Sequence, residues 1–191
     1  MLKEYSYRLL AKYKSNLRIV KDSTSLLKAS IRLSDWSCLN AKLIIGKSCL
    51  LRGCIYFTKS SAIIEIGDNV AIGSGGLISI ASGLTIESNV LISFDVLIMD
   101  NDGHSHCPKT RMKDLPALLS GKNKNWFNVL QKPIRISEGA WIGSRVTILK
   151  GTHVGRNTIV GSSSVVSGHL LDNGIYAGNP AKLVRLQSEI T

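Results

Sequence analysis

The chain has 191 residues, of which 44% are hydrophobic, 19% charged and only 6% aromatic. This composition excludes a disordered tail and predicts one domain with a core of aliphatic side chains. No stretch approaches the roughly 18 uninterrupted apolar residues of a membrane-spanning helix. Four cysteines without a CxxC pair are too few for a disulfide scaffold, so we expect a reducing, cytoplasmic environment.

The formal net charge of +11 is concentrated in two segments. Residues 1–28 contain seven Lys or Arg against two acidic residues, and residues 104–132 contain six against one. Such segments favour an anionic partner, which includes a phosphorylated cofactor, an acidic polymer, nucleic acid and an anionic membrane surface. Charge alone does not choose among these partners.

The N-terminal segment predicts an amphipathic helix over residues 1–21. Leu2, Tyr5 and Leu9 recur at spacings of three or four residues, opposite Lys and Arg side chains. We expect residues 1–26 to cap the following domain. The alternative is that this helix contacts a membrane surface or an acidic partner.

A repeat of six residues runs through most of the chain and decides the fold. Aliphatic or aromatic residues occupy 18 such hexads, with short slips after residues 57 and 78 and an interruption at 99–135. These positions are Leu27, Leu33, Leu39, Ile45, Leu51, Phe57, Ile66, Ile72, Ile78, Ile86, Ile92, Ile98, Ile136, Ile142, Ile148, Val154, Val160 and Val166. An α-helix repeats its faces every 3.6 residues and cannot use this period.

Small residues flank the aliphatic position in many hexads. Four residues after it lie Ala140, Val146, Thr152, Thr158 and Ser164, and directly after it lie Gly46, Gly67, Gly73, Gly143, Gly155 and Gly161. We interpret these glycines as positions that need the backbone freedom of glycine. Six residues per side and three sides per coil predict an all-β solenoid of about six triangular coils, whose neighbouring coils pair in parallel.

This pattern resembles the left-handed parallel β-helix of the hexapeptide-repeat acyltransferases over residues 27–185, followed by a tail at 186–191. The left hand is implied by the resemblance alone, because the general rule for parallel crossovers favours the opposite hand. An excursion as long as 99–135 inside a regular prism is usually functional.

The excursion opens with two carboxylates, a glycine and two histidines in Asp100-Asn101-Asp102-Gly103-His104-Ser105-His106. An imidazole can accept a hydroxyl proton near neutral pH, and a nearby carboxylate can fix its tautomer. An exposed polar loop without catalytic function is the alternative. The motif resembles the His loop of the galactoside, maltose, xenobiotic and polysaccharide acetyltransferases. That resemblance implies that His104 is the general base, with Asp102, or less favourably Asp100, orienting its ring.

Three later segments carry the same resemblance. Trp141-Ile142-Gly143-Ser144 implies that Ser144 contacts coenzyme A and that Trp141 lies beside the acetyl or pantetheine arm. The run from Val160 to Gly168 implies a pantetheine channel, and the ending Gly178-Asn179-Pro180-Ala181-Lys182 implies cations directed at the adenosine phosphates. The residues so assigned are Ser162, Ser167 and Gly168 for the channel, and Lys182 and Arg185 for the phosphates.

Two features depart from the family pattern. Many sugar acetyltransferases place an Asn one coil before the His loop, where this chain has Gly73 and Ser74. The segment after His104 is long and basic and contains Trp126 and Phe127, so we expect it to shape the acceptor pocket.

These observations predict an acetyl-CoA-dependent O-acetyltransferase that modifies a sugar hydroxyl in surface polysaccharide synthesis. The expected acceptor is a saccharide or nucleotide sugar, and the resemblance implies a homotrimer with the cofactor between subunits. We expect no metal and no nucleic-acid partner. Alternatives are N-acetylation of an amino sugar, acetylation of a small serine-like acceptor, and a non-enzymatic solenoid that binds polyanions. A γ-type carbonic anhydrase needs three His ligands, and His104, His106, His153 and His169 lack the required spacing.

Overall fold

The structure is a computed structural model that describes residues 17–33, 40–120, 126 and 128–187. Its strands form three sheets, which we call faces A, B and C. Face A contains β1 (Arg18–Lys21), β4 (Lys42–Ile45), β7 (Ile63–Ile66), β10 (Gly83–Ile86), β13 (Ile134–Ile136) and β16 (His153–Val154). Face C contains β3 (Ser30–Leu33), β6 (Cys54–Phe57), β9 (Leu77–Ile80), β12 (Leu97–Met99), β15 (Thr147–Ile148) and β18 (Val165–Val166).

Face B contains the remaining strands and is the longest sheet. Its strands are β2 (Leu26–Leu27), β5 (Leu50–Leu51), β8 (Ala71–Ile72), β11 (Leu91–Ile92), β14 (Trp141–Ile142), β17 (Ile159–Val160), β19 (Gly174–Gly178) and β20 (Ala181–Leu186). The chain visits faces A, B and C in turn six times, so β1–β18 make six coils. β19 begins a partial seventh coil, and the predicted triangular solenoid is confirmed.

The core is a stack of aliphatic side chains along the inside of the prism. The hexad positions from Ile45 to Val166 are all buried, and Leu27 and Leu33 pack partly buried against them. The register stacks Ile66, Ile86 and Ile136 on face A. Burying such a column is the main stabilising contribution in a solenoid, because each coil contacts only its neighbours.

The register corrects the predicted phase on face C. Ile78 pairs with Ile55, whereas the hexad positions Phe57 and Leu33 pair with each other and Phe57 pairs with Ile80. The first two coils therefore have a shorter corner between faces B and C. The hexad count placed Phe57, rather than Ile55, in the row of Ile78. Residues two apart on a strand point to the same side, so both are buried and the sequence pattern does not distinguish them.

The interpretation of the corner glycines was wrong. Gly46, Gly73 and Gly143 do not have positive φ angles; instead, a Cβ there would lie within 2.2–2.7 Å of atoms of the next coil. Close approach between coils excludes any side chain at these positions. The left-handed backbone conformation occurs two residues later in the corner, for example at Ser48 and Asn157.

The start of the solenoid also differs from the prediction. Residues 18–21, which the sequence assigned to a helix, form β1 and pair with β4. The first coil therefore begins within the segment predicted as a cap (1–26), and the rest of the predicted helix, residues 1–16, lies outside the described residues. Lys21 pairs with Ile45, so the first coil is longer by one hexad than the three hexads of a regular coil. Leu39, counted as a hexad, lies in the segment 34–39 outside the described residues.

The C-terminal part and the excursion complete the fold. The turn at Asn179 and Pro180 reverses the chain, so β20 pairs antiparallel with β19. The described part of the excursion contains two short helices, α1 (Pro108–Arg111) and α2 (Asp114–Leu119). Among the described residues, neither helix has the length and apolar character needed to cross a membrane.

Two histidines lie together on the outer surface of the solenoid. His153 Nε2 lies 3.0 Å from Ser137 Oγ, and its ring meets His169 edge to face at a centroid distance of 4.5 Å. Desolvation is the first cause that lowers the pKa of His153, followed by the charges of His169 and Arg135. The nearby carboxylates of Asp172 and Glu87 act in the opposite direction.

We therefore expect stability to fall as the pH drops below about 6.5, the ordinary value for histidine. The folded chain binds fewer protons than the unfolded chain in this range, so protonation favours unfolding. His153→Gln keeps a polar partner for Ser137 and should flatten the decline of Tm between neutral pH and pH about 5. Equal slopes in the wild type and the variant would show that His153 does not cause this decline.

Candidate functional site

The excursion leaves the prism after β12 and returns at β13, which places it on the corner between faces C and A. Asp100 fastens its first turn: the buried carboxyl accepts backbone N–H groups from Ala81 at 2.7 Å, Ser82 at 2.6 Å and Gly83 at 2.8 Å. The Asn101 side-chain amide also donates to Asp100, at 3.0 Å. Asp100 therefore holds the preceding corner and does not reach His104.

Asp102 anchors the excursion to the next coil. Its Oδ1 accepts a hydrogen bond from Lys150 Nζ, and its Oδ2 lies 2.7 Å from His106 Nε2. Its backbone N–H donates to Leu130 O at 3.0 Å, in the segment that leads back to β13. The prediction that Asp102 orients the His104 ring is wrong, because Asp102 Oδ1 is bonded to Lys150 and the structure pairs His104 with a different carboxylate.

His104 instead pairs with a carboxylate ten residues later. Its Nδ1 lies 2.6 Å from Asp114 Oδ2, and the two side chains are 53% and 7% exposed respectively. Gly103 precedes it with φ +68°, and a Cβ at that glycine would meet nothing within 4 Å. The imidazole is therefore held on one side by a buried carboxyl and open to solvent on the other.

Local sequence explains how Asp114 reaches the ring. Pro108 stands at the start of α1, where its missing N–H costs nothing, and Asp114 is the first residue of α2. The Arg111 guanidinium donates to Ser105 O at 2.9 Å and to His106 O at 3.3 Å, which folds α1 back onto the His loop. A sequence signal existed, since Asp114 is the single acidic residue of the basic segment 104–132.

This arrangement suits His104 for taking up a proton. A carboxylate can only accept a hydrogen bond, so pairing with Asp114 places the ring hydrogen on Nδ1. The lone pair is then on Nε2, at the half-exposed side of the ring. When Nε2 takes up a proton, the Asp114 carboxylate lies beside the imidazolium that forms.

A free thiol also lies in the excursion. Cys107 is exposed, and hydrogen bonds from the backbone and then the side chain of Thr110 lower the pKa of its thiol. Among the described residues, the hydrogen-bond partner of the His104 ring is Asp114 and not Cys107. We therefore assign no chemical step to this thiol.

The predicted coenzyme A residues separate into two groups. Trp141 and Arg185 lie in one row on the outer side of face B, linked by the register through Ile159 and Ile175. At about 4.8 Å between strands this row spans roughly 14 Å. Lys182 pairs with Ala177 on the same hairpin. Trp141 is 50% exposed, and its Nε1 lies 3.4 Å from Ser93 Oγ.

The serine and glycine residues predicted to contact coenzyme A lie on two different corners of the prism. Ser144 and Ser162 stack on successive coils at the corner after face B, where Ser163 N donates to Ser144 O at 2.9 Å. Ser167 and Gly168 are exposed on the corner between faces C and A, the corner that also carries the His104 excursion. Gly168 O accepts from His153 N at 2.8 Å.

In a single chain, His104 and Trp141 therefore lie on opposite sides of the prism. The corner between faces C and A is the edge opposite face B, and the excursion is tied to that edge through Lys150. A site that uses both residues needs two copies of the chain. This separation is visible only from the order of the strands in the sheets.

Gly73 and Ser74, where the family pattern has an Asn, lie on the corner between faces B and C and not on the corner that carries the His104 excursion. A Cβ at Gly73 would lie 2.6 Å from Ser93 O, so this position admits only glycine. Ser74 is exposed, and the structure does not explain why it is not Asn. Trp126 is half-buried, whereas Phe127 lies outside the described residues. Within the described part of the chain, no three His, Cys, Asp or Glu side chains form a group that could hold a metal ion.

Comparison with known families and proteins identifies the repeat. Residues 133–168 match the family model "Bacterial transferase hexapeptide (six repeats)". Residues 133–168 therefore carry the bacterial transferase hexapeptide repeat. The resemblance to hexapeptide-repeat acyltransferases inferred from the motifs is thereby confirmed.

Two curated relatives from Escherichia coli are similar over most of this chain. The polysialic acid O-acetyltransferase of strain O1:K1 is 32% identical over 142 residues, which are 74% of this chain and 42% of the relative. The putative lipopolysaccharide biosynthesis O-acetyl transferase WbbJ of strain K12 is 29% identical over 136 residues, which are 70% of this chain and 61% of the relative. The chain thus spans less than two thirds of the length of either relative.

Solved structures share the fold. A hexapeptide-repeat acetyltransferase of Vibrio cholerae, complexed with acetyl-CoA, superposes with a TM-score of 0.60 at 21% identity, covering 75% of this chain and 70% of that one. The N-acyltransferase AntD of Bacillus cereus, in complex with dTDP and coenzyme A, gives a TM-score of 0.61 at 19% identity, covering 99% and 93%. At these identities the similarity establishes the solenoid architecture.

Proposed function

We propose that this protein is an acetyl-CoA-dependent O-acetyltransferase that acts on a sugar hydroxyl during cytoplasmic steps of surface polysaccharide synthesis. The observation that carries the proposal is the pairing of a half-exposed His104 with a buried Asp114 on the long excursion of the solenoid. Relatives named polysialic acid O-acetyltransferase and putative lipopolysaccharide biosynthesis O-acetyl transferase support the oxygen acceptor and the saccharide class.

The mechanism is direct transfer. Nε2 of His104 takes the proton of the acceptor hydroxyl as the oxygen attacks the thioester carbonyl of acetyl-CoA. Backbone N–H groups of the coil stabilise the oxyanion that develops. The carbon–sulfur bond breaks, the new ester remains on the acceptor, and His104 returns the proton to the leaving thiolate. Asp114 keeps the ring in the tautomer that this sequence of steps requires.

The same proposal includes a homotrimer. Face B exposes a column of large apolar side chains, among them Leu26 at 55%, Leu91 at 54% and Trp141 at 50% exposure. Covering such a strip with a second copy brings one chain's Trp141 and Arg185 towards another chain's His104 edge, which a single chain keeps apart. Light scattering should then give three times the mass of the chain.

A thiol-release assay with acetyl-CoA tests the activity. The acceptor panel contains neutral and acidic oligosaccharides, nucleotide sugars, amino sugars and serine. We expect release of coenzyme A with a saccharide that offers hydroxyl groups. Release only with amino acceptors would favour N-acetylation, and release with none of them would contradict the proposed reaction.

The pairing of His104 with Asp114 predicts a ranking of two carboxylate variants. Asp114→Asn should lower kcat by about ten- to a hundredfold, because the amide no longer enforces Nδ1–H on the His104 ring. Its KM for acetyl-CoA should stay near the wild-type value. Asp102→Asn, which alters the anchor to Lys150, serves as the matched control and should cost less in kcat. The reverse ranking, measured by initial rates across a pH series, would restore Asp102 as the partner of His104.

A further inference from the structure

Helix α2 has its polar and apolar sides reversed. Its only buried residue is Asp114, whereas Leu115, Leu118 and Leu119 are 64%, 57% and 81% exposed. Met112, directly before the helix, is 76% exposed. A helix on a globular domain normally turns its apolar side to the core. These four exposed residues form what we call the apical patch.

The rim of the apical patch is positively charged. Lys109, Arg111 and Lys113 are all exposed, and they lie on α1 and on the link to α2. The single acidic residue of the segment, Asp114, is buried and paired with His104. The patch therefore combines large apolar side chains with cations, and its own acidic group is directed inward.

We propose that the apical patch docks on the surface of an anionic phospholipid bilayer. Exposed leucine and methionine side chains gain free energy by entering the boundary between headgroups and acyl chains. The surrounding cations are attracted by the negative surface potential of such a membrane. A second copy that meets the patch with its own apical patch fits less well, because Lys109, Arg111 and Lys113 of the two copies would then face one another.

Docking has a consequence for the site. Because α2 presents its leucines outward and Asp114 inward to His104, the bilayer surface lies on the far side of the helix that positions the imidazole. An acceptor saccharide held near lipid headgroups would then be within reach of the excursion. The docking itself does not depend on the proposed reaction, since it can be measured without acetyl-CoA.

The test is co-sedimentation of the full chain with phosphatidylcholine vesicles that contain phosphatidylglycerol, compared with pure phosphatidylcholine vesicles. We expect binding to the anionic vesicles only. Leu115→Ser/Leu119→Ser should weaken it at least about tenfold, through loss of buried apolar area. Lys109→Glu/Lys113→Glu should also weaken it at least about tenfold, and added salt should weaken wild-type binding.

Matched controls lie outside the excursion. Leu171→Ser/Leu186→Ser removes leucines that are 51% and 55% exposed, and Lys42→Glu/Lys47→Glu makes the same charge change on the second coil. Both should bind like the wild type. They also separate the patch from the basic N-terminal segment, which every variant retains. Circular dichroism melting confirms that each variant is folded.

Three results would overturn the proposal. The first is absence of wild-type binding to anionic vesicles, or equal binding by the apical and control variants. The second is a fall in oligomer mass when Leu115 and Leu119 are replaced, which would assign the patch to a second copy. The third is binding of soluble polyphosphate that matches vesicle binding and is insensitive to the leucine substitutions, which would indicate a general polyanion site.

Discussion

Replacing His104 by alanine is expected to lower kcat for acetyl transfer by about 10²–10⁴-fold while coenzyme A binding is retained. The imidazole accepts the acceptor proton in the proposed mechanism, and its side chain is 53% exposed while Asp114 holds the other side of the ring. Binding should persist, because the residues assigned to coenzyme A lie mainly on face B and its corner. Turnover is measured by thiol release, and binding by calorimetry with coenzyme A.

His106→Ala is the matched control for His104→Ala. Both histidines are exposed and belong to the same loop, but His106 uses Nε2 to reach Asp102, which in turn is bonded to Lys150. We expect this variant to lose less than about tenfold in kcat. Unchanged turnover in His104→Ala would reject the assignment, and a larger loss in His106→Ala would move the proton acceptor to that residue.

The fold was predictable because each side of the solenoid uses six residues, so the buried positions recur in the sequence with a period of six. Ile66, Ile86 and Ile136 stack in register although they are separated by up to 70 residues, since each coil places its aliphatic residue above the last. For the same reason, six additional residues in one coil keep the period of the repeat and cannot be detected from the sequence. Leu39 was counted as a hexad because the first coil is six residues longer than three hexads.

The partner of His104 was not predictable by proximity in sequence. Asp102 is two residues from His104 in the sequence, but the two side chains have different partners. Lys150 on the next coil donates a hydrogen bond to the Asp102 carboxylate. Asp114 reaches the ring because α1 folds back through Arg111. In the sequence, Asp114 stands out only as the single acidic residue among the six basic residues of segment 104–132. That feature does not indicate how far its carboxylate lies from His104.

Replacing Asp100 by alanine should have the largest effect on stability, about 3–5 kcal/mol in the free energy of unfolding. The fully buried carboxyl accepts backbone N–H groups from Ala81, Ser82 and Gly83, and alanine leaves these donors without that acceptor. Each buried donor left unpaired costs about 1–3 kcal/mol. Water can reach part of this corner, since Ser82 and Gly83 are half-buried, which keeps the total below the simple sum.

Urea unfolding measures the effect of Asp100→Ala, and Asp68→Ala is its matched control. Asp68 is exposed and accepts one backbone N–H, from Lys47 at 2.7 Å, so its loss should cost about 1 kcal/mol or less. Asp100→Asn keeps one oxygen acceptor and should fall between the two. If Asp100→Ala were no less stable than Asp68→Ala, the corner would not depend on this carboxyl. The excursion carrying His104 would then need another anchor, and Asp102 with Lys150 would be the next pair to replace.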